Sequence, residues 1–275
     1  MSKNGKGQRP EIVVAVATHK PYRMPDDAMY LPMHVGKALH PEVDLGPAFA
    51  VDNTGDNISE KNGYYSELTG LYWLWKNCQA DYKGLVHYRR HLSSAAWSAR
   101  WKKDRFERIV SGDEVRQLLA QYDIIVAKKR HYYIETVYSH YGHTFRSEQF
   151  DLCRAVLNDR CPEYVPAWDA LMQSTSAHIF NMFIMSREHF DAYCAWMFPI
   201  LFEMEQRLDP ESYHDAFQAR YLGRVSERLL DPWLQTNGYD YAELPVVSPE
   251  PVNWWKKGAG FLMAKFGGKA YDKSF

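Results

Sequence analysis

Four polar segments carry the side chains that could do chemistry in this sequence. His87-Tyr88-Arg89-Arg90-His91 sets two arginines between histidines, and guanidinium groups are permanent cations whose planar donor forks suit a diphosphate. Successive side chains of a strand face opposite ways, so Arg89 and Arg90 address one ligand only if the strand has ended; a surface or ion-paired role for one of them is an equal reading. The stretch Asp52 to Ser59, continued by Lys61, Asn62 and Glu67, is rich in carboxamides and carboxylates. At the start of a helix it could bind sugar hydroxyls and a phosphate, or be a solvated, capped turn. Asn181 interrupts the apolar run His178 to Met185, where an amide needs hydrogen bonds if buried and orients a polar ligand if it faces a cleft. Arg220, Arg224, Glu227 and Arg228 recur at spacings of three and four. That pattern suits an ion-pair ladder along a helix, or a cleft-facing Glu227 acting as general base with Arg224 or Arg228 on a phosphate.

Positioning these groups falls to alternating strands and helices. Residues 11–17 are a short apolar run rich in β-branched side chains, as in a strand buried on both faces of a parallel sheet. It ends in Thr18-His19-Lys20, at the carboxyl end where open α/β sheets bind ligands. Tyr64, Leu68, Leu71, Tyr72 and Trp75 share one helical face, which predicts a helix over 64–77 with Asn62 as N-cap. Further strands are predicted near 49–51 and over 83–90, 123–127, 178–185 and 244–247. Helices are predicted within 101–122, over 145–157, over 187–208 with a kink at Pro199, and over 216–234. The sum is an α/β fold, a mixed sheet flanked by helices, in one domain over 11–247 between a polar N-terminus (1–10) and a tail (248–275).

Composition removes several function classes. At 275 residues and 46% hydrophobic the chain has enough apolar surface for one large core, which excludes disorder. A net charge of -1 provides no general field for nucleic acid. Cys78, Cys153, Cys161 and Cys194 are irregularly spaced, as expected of reduced, buried thiols rather than zinc ligands or a disulfide framework. The run Ile12 to Ala17 is too short for a signal peptide or a membrane span, so a cytoplasmic protein is expected. Residues 254–269 interleave Trp254, Trp255, Phe261 and Phe266 with lysines, a pattern suited to peripheral contact with the inner face of the membrane; a packed extension or a partner-binding segment competes with it. There is no Walker loop, GxSxG elbow, HExxH or strand-to-helix GxGxxG.

In order along the chain, Thr18-His19-Lys20, Asn57-Ile58-Ser59 with Lys61-Asn62, Glu67-Leu-Thr-Gly-Leu-Tyr-Trp73, Gly84-Leu-Val-His-Tyr-Arg-Arg90, Tyr132-Tyr-Ile-Glu135 with Ser139-His-Tyr141 and His143, Phe180-Asn-Met-Phe-Ile-Met185 and Ser226-Glu-Arg-Leu229 resemble a bacterial family. That family was long catalogued as a domain of unknown function from capsular and exopolysaccharide gene clusters. It is similar to GT-A-fold glycosyltransferases, and members are assigned as galactofuranosyltransferases. The resemblance covers residues 11–247 and implies a GT-A-like, Rossmann-type sheet with a nucleotide-sugar half (11–130) and an acceptor half (131–247). It implies transfer of galactofuranose from UDP-galactofuranose, with inversion, to a lipid-linked or oligosaccharide acceptor in capsule, O-antigen or exopolysaccharide assembly; no residue distinguishes ring forms, so transfer of galactopyranose or glucose from their UDP donors competes with it.

Carried over by position, Thr18, His19 and Lys20 meet the nucleotide, and Asn57, Lys61, Asn62 and Glu67 meet the donor. His87, Tyr88, Arg89 and Arg90 lie where metal-dependent relatives have an aspartate pair. This sequence has no Asp-x-Asp, so manganese dependence stays open, with arginine as the alternative counter-charge, and no metal ligand is assigned. Glu227 and Glu135, then His143, lead as catalytic groups, with Tyr141, His178, Asn181, Arg224 and Arg228 on the acceptor side. Two other classes compete: a phosphate-ester enzyme with His87 or His91 as nucleophile, and a non-catalytic scaffold of polysaccharide assembly.

Overall fold

The computed structural model describes residues 9–250. In chain order the strands are β1 (Ile12–Thr18), β2 (Tyr30–His34), β3 (Ala50–Val51), β4 (Tyr82–His87), β5 (His91–Leu92), β6 (Ile124–Ala127), β7 (Arg130–His131), β8 (Ser176–Ala177), β9 (Phe183–Ser186), β10 (Ala242–Leu244) and β11 (Val246–Val247). Seven of them form one sheet in the order β10-β6-β9-β4-β1-β2-β3. All run parallel except β9, which is antiparallel to both of its neighbours. This is the mixed sheet expected from the sequence. The helices are α1 (Asn62–Tyr65), α2 (Leu68–Asn77), α3 (Gly112–Leu119), α4 (Val137–Gly142), α5 (Glu148–Arg160), α6 (Val165–Gln173), α7 (Arg187–Arg207), α8 (Ala216–Ala219), α9 (Tyr221–Ser226) and α10 (Leu230–Asn237).

The period of two along β1 divides the core. Ile12, Val14 and Val16 join the side chains of α3, Val115 and Leu119, on one face of the sheet. Ala15 and Ala17 face the larger cluster built by α2, α5, α6, α7, α9 and α10. The small alanines let α2 lie close, and Gly70 of that helix meets Met33 and Val35 where a Cβ would not fit. Lys83, inside β4, is fully buried and satisfied by an ion pair with Asp191 of α7. The four cysteines are free thiols.

Several elements depart from their sequence-based expectations in ways that matter for the site. The helix expected over 64–77 is broken at Ser66, whose φ of 52° separates α1 from α2. Asn62 is the first helical residue rather than the N-cap, and its amide bridges the break by donating to the Ser66 carbonyl and the Thr69 hydroxyl. The strand expected over 83–90 stops at His87. That expected over 178–185 begins only at Phe183, after a turn in which Phe180 and Asn181 have φ of 78° and 50°. Within 101–122 only α3 is α-helical, preceded by 3-10 turns at Trp97–Trp101 and Arg105–Arg108. The helix expected over 216–234 is three short helices. Pro199 lies inside α7 as expected. Among the described residues no helix is long and apolar enough to cross a membrane; the segment 254–269 lies outside them.

Burial of one titratable group predicts an acid sensitivity. His91 in β5 is fully buried, with Tyr30 and Phe106 rings at 6.1 and 6.4 Å, and burial pushes its imidazole down to about 4. The folded state therefore resists the proton that the unfolded chain accepts near pH 6.5. The contribution of neutral His91 is complete above that pH and is lost as pH falls toward 4, by roughly 3 kcal/mol. In urea melts, the midpoint of the wild-type protein should fall through this window more steeply than that of His91→Leu; equal slopes would remove His91 as the cause.

Candidate active site

The carboxyl ends of β1 and β4 lie side by side, with Ala17 in register with His87. The Thr18 hydroxyl donates to the Lys20 carbonyl at 2.7 Å and accepts from the Lys20 amide at 3.3 Å. Thr18 is thus spent on its own buried turn, and that turn sends His19 and Lys20 outward. Just past β4, the Tyr88 amide donates to the Ala17 carbonyl at 3.1 Å, and the Tyr88 ring becomes a hub. His19 meets it edge-on at 5.5 Å, Tyr22 at 5.0 Å, Lys20 Nζ at 5.4 Å and the Arg89 guanidinium at 5.2 Å. Burial first, and then Lys20, Arg220 and Arg89, push the His19 imidazole below its ordinary value. His19 is therefore neutral at pH 7, among three permanent cations that all reach solvent. This floor can receive a polyanion such as a diphosphate.

Beside the floor lies a network of half-buried polar groups. The turn before β9 brings Phe180 and Asn181 against the end of β4, where His87 Nε2 donates a short hydrogen bond to the Phe180 carbonyl. Asn181 Nδ2 donates to Glu67 Oε1 at 2.7 Å and to the Gly223 carbonyl at 3.2 Å, and the Ser226 hydroxyl lies 3.2 Å from Asn181 Oδ1. Glu67 Oε1 is also 4.0 Å from His87 Nε2. Arg90 stacks over Phe180, its guanidinium carbon 4.5 Å from the ring centroid. Burial and then Arg89 lower the Arg90 pKa, while Glu227 and Glu67 oppose them. Arg90 thus stands between two carboxylates.

Glu227 caps α9 and its Oε2 accepts from the buried Arg228. Arg228 also donates to the Arg224 carbonyl at 3.2 Å and reaches the Tyr132 hydroxyl at 3.5 Å. Arg224 is held between Phe145 and Phe217, 4.1 and 4.3 Å from their centroids, and burial lowers its pKa to about 10. Glu135 engages both oxygens: Oε2 lies 2.7 Å from His140 Nδ1 and Oε1 lies 3.2 Å from His143 Nδ1. Burial, more than Glu135, decides His140, whose pKa is lowered. Tyr141 is buried and donates to Gln149 Oε1 at 2.5 Å.

The structure therefore gathers His19, Lys20, Tyr88 and Arg89 on the floor, and Glu67, His87, Arg90, Asn181, Glu227 and Arg228 beside it. Other residues singled out from sequence are committed elsewhere. Asn57 bonds within its own loop, to the Gly55 carbonyl and the Ser59 amide. Lys61 pairs with Glu205 of α7 at 2.7 Å, and Asn62 holds the α1–α2 break. His178 is buried between Asp231 (2.6 Å) and Glu243 (3.1 Å). His91, fully buried, cannot reach a phosphate. Sequence reasoning assigned no site role to Arg220, on the floor, or to Ser226, beside Asn181; Arg220 stood in the spaced arginine pattern and Ser226 opened the Ser226-Glu-Arg-Leu229 motif.

Just past β4 the chain sets Arg89 and Arg90 beside His87, and the two guanidinium charges disfavour a divalent cation there. Among the described residues no three His, Cys, Asp or Glu side chains are grouped to hold a metal ion.

Comparison with known proteins bears on the family and the fold. Residues 13–238 match the family described as a domain of unknown function, DUF4422. No curated protein matches the chain. Among solved structures, the apo form of WbbM, a bifunctional glycosyltransferase, superposes with a TM-score of 0.78 at 28% sequence identity over 86% of this chain. The match spans 45% of that protein's length. The fold is therefore that of a glycosyltransferase-like domain.

Proposed function

The chain belongs to the DUF4422 family, and from that membership, the glycosyltransferase-like fold and the site geometry we propose that it transfers a hexose from a UDP-sugar, with UDP-galactofuranose the first candidate. The acceptor in this reading is a lipid-linked or free oligosaccharide of capsule, O-antigen or exopolysaccharide assembly. Residues 11–130 supply the nucleotide-sugar side and 131–247 the acceptor side. The observation that carries the proposal is the convergence of Lys20, Arg89 and Arg220 around His19, with Arg90 between Glu67 and Glu227 next to them, at the carboxyl ends of β1 and β4.

In this mechanism the UDP diphosphate lies on the cationic floor and the sugar points toward Glu227. The acceptor hydroxyl oxygen forms a bond to the anomeric carbon as the bond from that carbon to the diphosphate oxygen breaks. The electron pair leaves with UDP, and Glu227 takes the hydroxyl proton, which gives inversion. Arg90 and the floor cations stabilise the charge growing on the leaving group. Arg228 fixes the Glu227 carboxylate through Oε2, and Asn181 fixes Glu67. The phosphate-ester reading finds less support, because His91 is buried and His87 Nε2 is committed to the Phe180 carbonyl.

Calorimetry with UDP, UDP-galactopyranose and UDP-galactofuranose tests the proposal. UDP should bind equally in manganese and in EDTA, since arginine and lysine supply the counter-charge, and the galactofuranose donor should bind more tightly than the galactopyranose donor. Binding that disappears in EDTA would place a metal at the diphosphate, and absence of binding in both would return the protein to a scaffold role.

A further inference from the structure

The 3-10 turn Trp97–Trp101 exposes two large aromatic side chains that the transferase reading does not use. Trp97 and Trp101 are 71% and 72% exposed, with ring centroids 5.8 Å apart in an edge-to-face pair. Leaving two indoles in water is unfavourable by the area rule, and among the described residues no element covers them. Ala99, on the opposite side of the turn, is buried and anchors it. Arg100, Lys102 and Lys103 flank Trp101 in sequence and are exposed. Lys102 lies 3.4 Å from Glu107, whereas Arg100 and Lys103 have no ion-pair partner among the described residues.

The turn is held in place. Arg108 Nε and Nη2 donate to the Lys102 carbonyl at 2.9 and 2.6 Å, and the amide of Ser94 donates to the Arg108 carbonyl at 2.8 Å. Its location is defined by a chain of rings: Phe106 packs on Tyr22 (6.4 Å), and Tyr22 on Tyr88 (5.0 Å), the hub of the cationic floor. The tryptophan turn packs against the 3-10 turn that carries Phe106, and so adjoins the ring chain that leads to the mouth of the site. Residues 248–250 lie near it, where Arg105 Nη1 donates to the carbonyls of Ser248 and Glu250 at 3.2 and 3.3 Å.

We propose that Trp97, Trp101, Arg100 and Lys103 form a docking surface for an anionic lipid bilayer, with the indoles at headgroup depth and the cations on lipid phosphates. Indole rings favour the membrane interface because one edge is apolar and the N–H needs a polar partner. Each cation near an anionic leaflet is worth about a fivefold change in partitioning. The geometry sets the mouth of the site against the bilayer, where an acceptor carried on a lipid would meet it. The surface does not depend on the transferase reading: vesicle binding tests the one and UDP binding the other.

The test uses the full chain with phosphatidylcholine vesicles, with and without phosphatidylglycerol, by sedimentation at low ionic strength. The wild-type protein should sediment with the anionic vesicles, and Trp97→Ser with Trp101→Ser should weaken that binding by at least about tenfold. Arg100→Glu with Lys103→Glu should abolish the preference for anionic over neutral vesicles. Both pairs should keep wild-type UDP binding and wild-type transfer to a soluble acceptor. Vesicle binding by the tryptophan variant equal to wild type, with loss instead in Trp254→Ser with Trp255→Ser, would overturn the proposal. So would a wild-type protein that binds no vesicle, or tryptophan substitutions that abolish self-association or raise the KM for the soluble acceptor.

Discussion

Glu227→Gln should lower turnover by roughly 10²–10⁴-fold, the range that a positioned general base contributes, with UDP affinity nearly unchanged. The amide matches the carboxylate in size and can still accept from Arg228, but it cannot take the acceptor proton. The substitution also removes the negative charge beside a buried guanidinium. Breaking a fully buried pair costs about 3–5 kcal/mol; Glu227 and Arg228 keep 18% and 10% side-chain exposure, so solvent screens part of that. Thermal unfolding and UDP titration of the variant therefore come before kinetics. Given a folded variant, kcat should fall while the donor KM holds. Wild-type turnover would remove Glu227 from the role and leave Glu67, on the other side of Arg90, to be tested as Glu67→Gln.

Arg89→Ala combined with Arg220→Ala should weaken UDP binding by roughly 10²-fold. A hydrogen bond to a charged group contributes about 1.5–3 kcal/mol, or 10- to 150-fold per arginine, and screening at an open surface reduces the sum. Both side chains reach solvent, so the fold should be unaffected and the loss should shrink at high salt. A second readout is independent of any ligand. Both arginines depress His19, so its imidazole pKa, followed by NMR, should rise in the double variant. Arg89→Lys should restore charge without the planar fork and recover affinity only in part. Unchanged UDP affinity together with a raised His19 pKa would mean that the diphosphate lies elsewhere.

The parts of this molecule that were legible in sequence are those governed by local pattern. β1 read as a buried parallel strand because its apolar run is continuous, and Thr18-His19-Lys20 lies at its carboxyl end for the same reason. The alternation rule already required the strand after Tyr82 to end before Arg89 and Arg90 could share a ligand, and β4 does end, at His87. The break at Ser66 was invisible because Tyr64, Leu68 and Leu71 keep one face on the same core across it. The arginine ladder over 220–228 does not form, since the helix is interrupted after Ala219 and again after Ser226, and Glu227 pairs with its immediate neighbour instead. Asn181 read as a mid-strand residue, whereas it occupies a left-handed turn that asparagine tolerates better than most side chains. Arg220 reaches the floor from a position about 130 residues beyond Arg89, through packing of α9 that no local pattern encodes.

The reversed strand β9 carries a consequence for how the chain is made. Among the described residues β6 pairs only with β9 and β10, so it has no neighbour in that sheet until synthesis has passed from Ala127 to Phe183 and beyond. At about 5–20 residues per second that interval lasts roughly 3–11 s. During it, β4 and β6 both present unpaired edges to solvent or to a chaperone. A ribosome-bound chain halted before residue 183 should therefore be far more susceptible to protease than one released after residue 250.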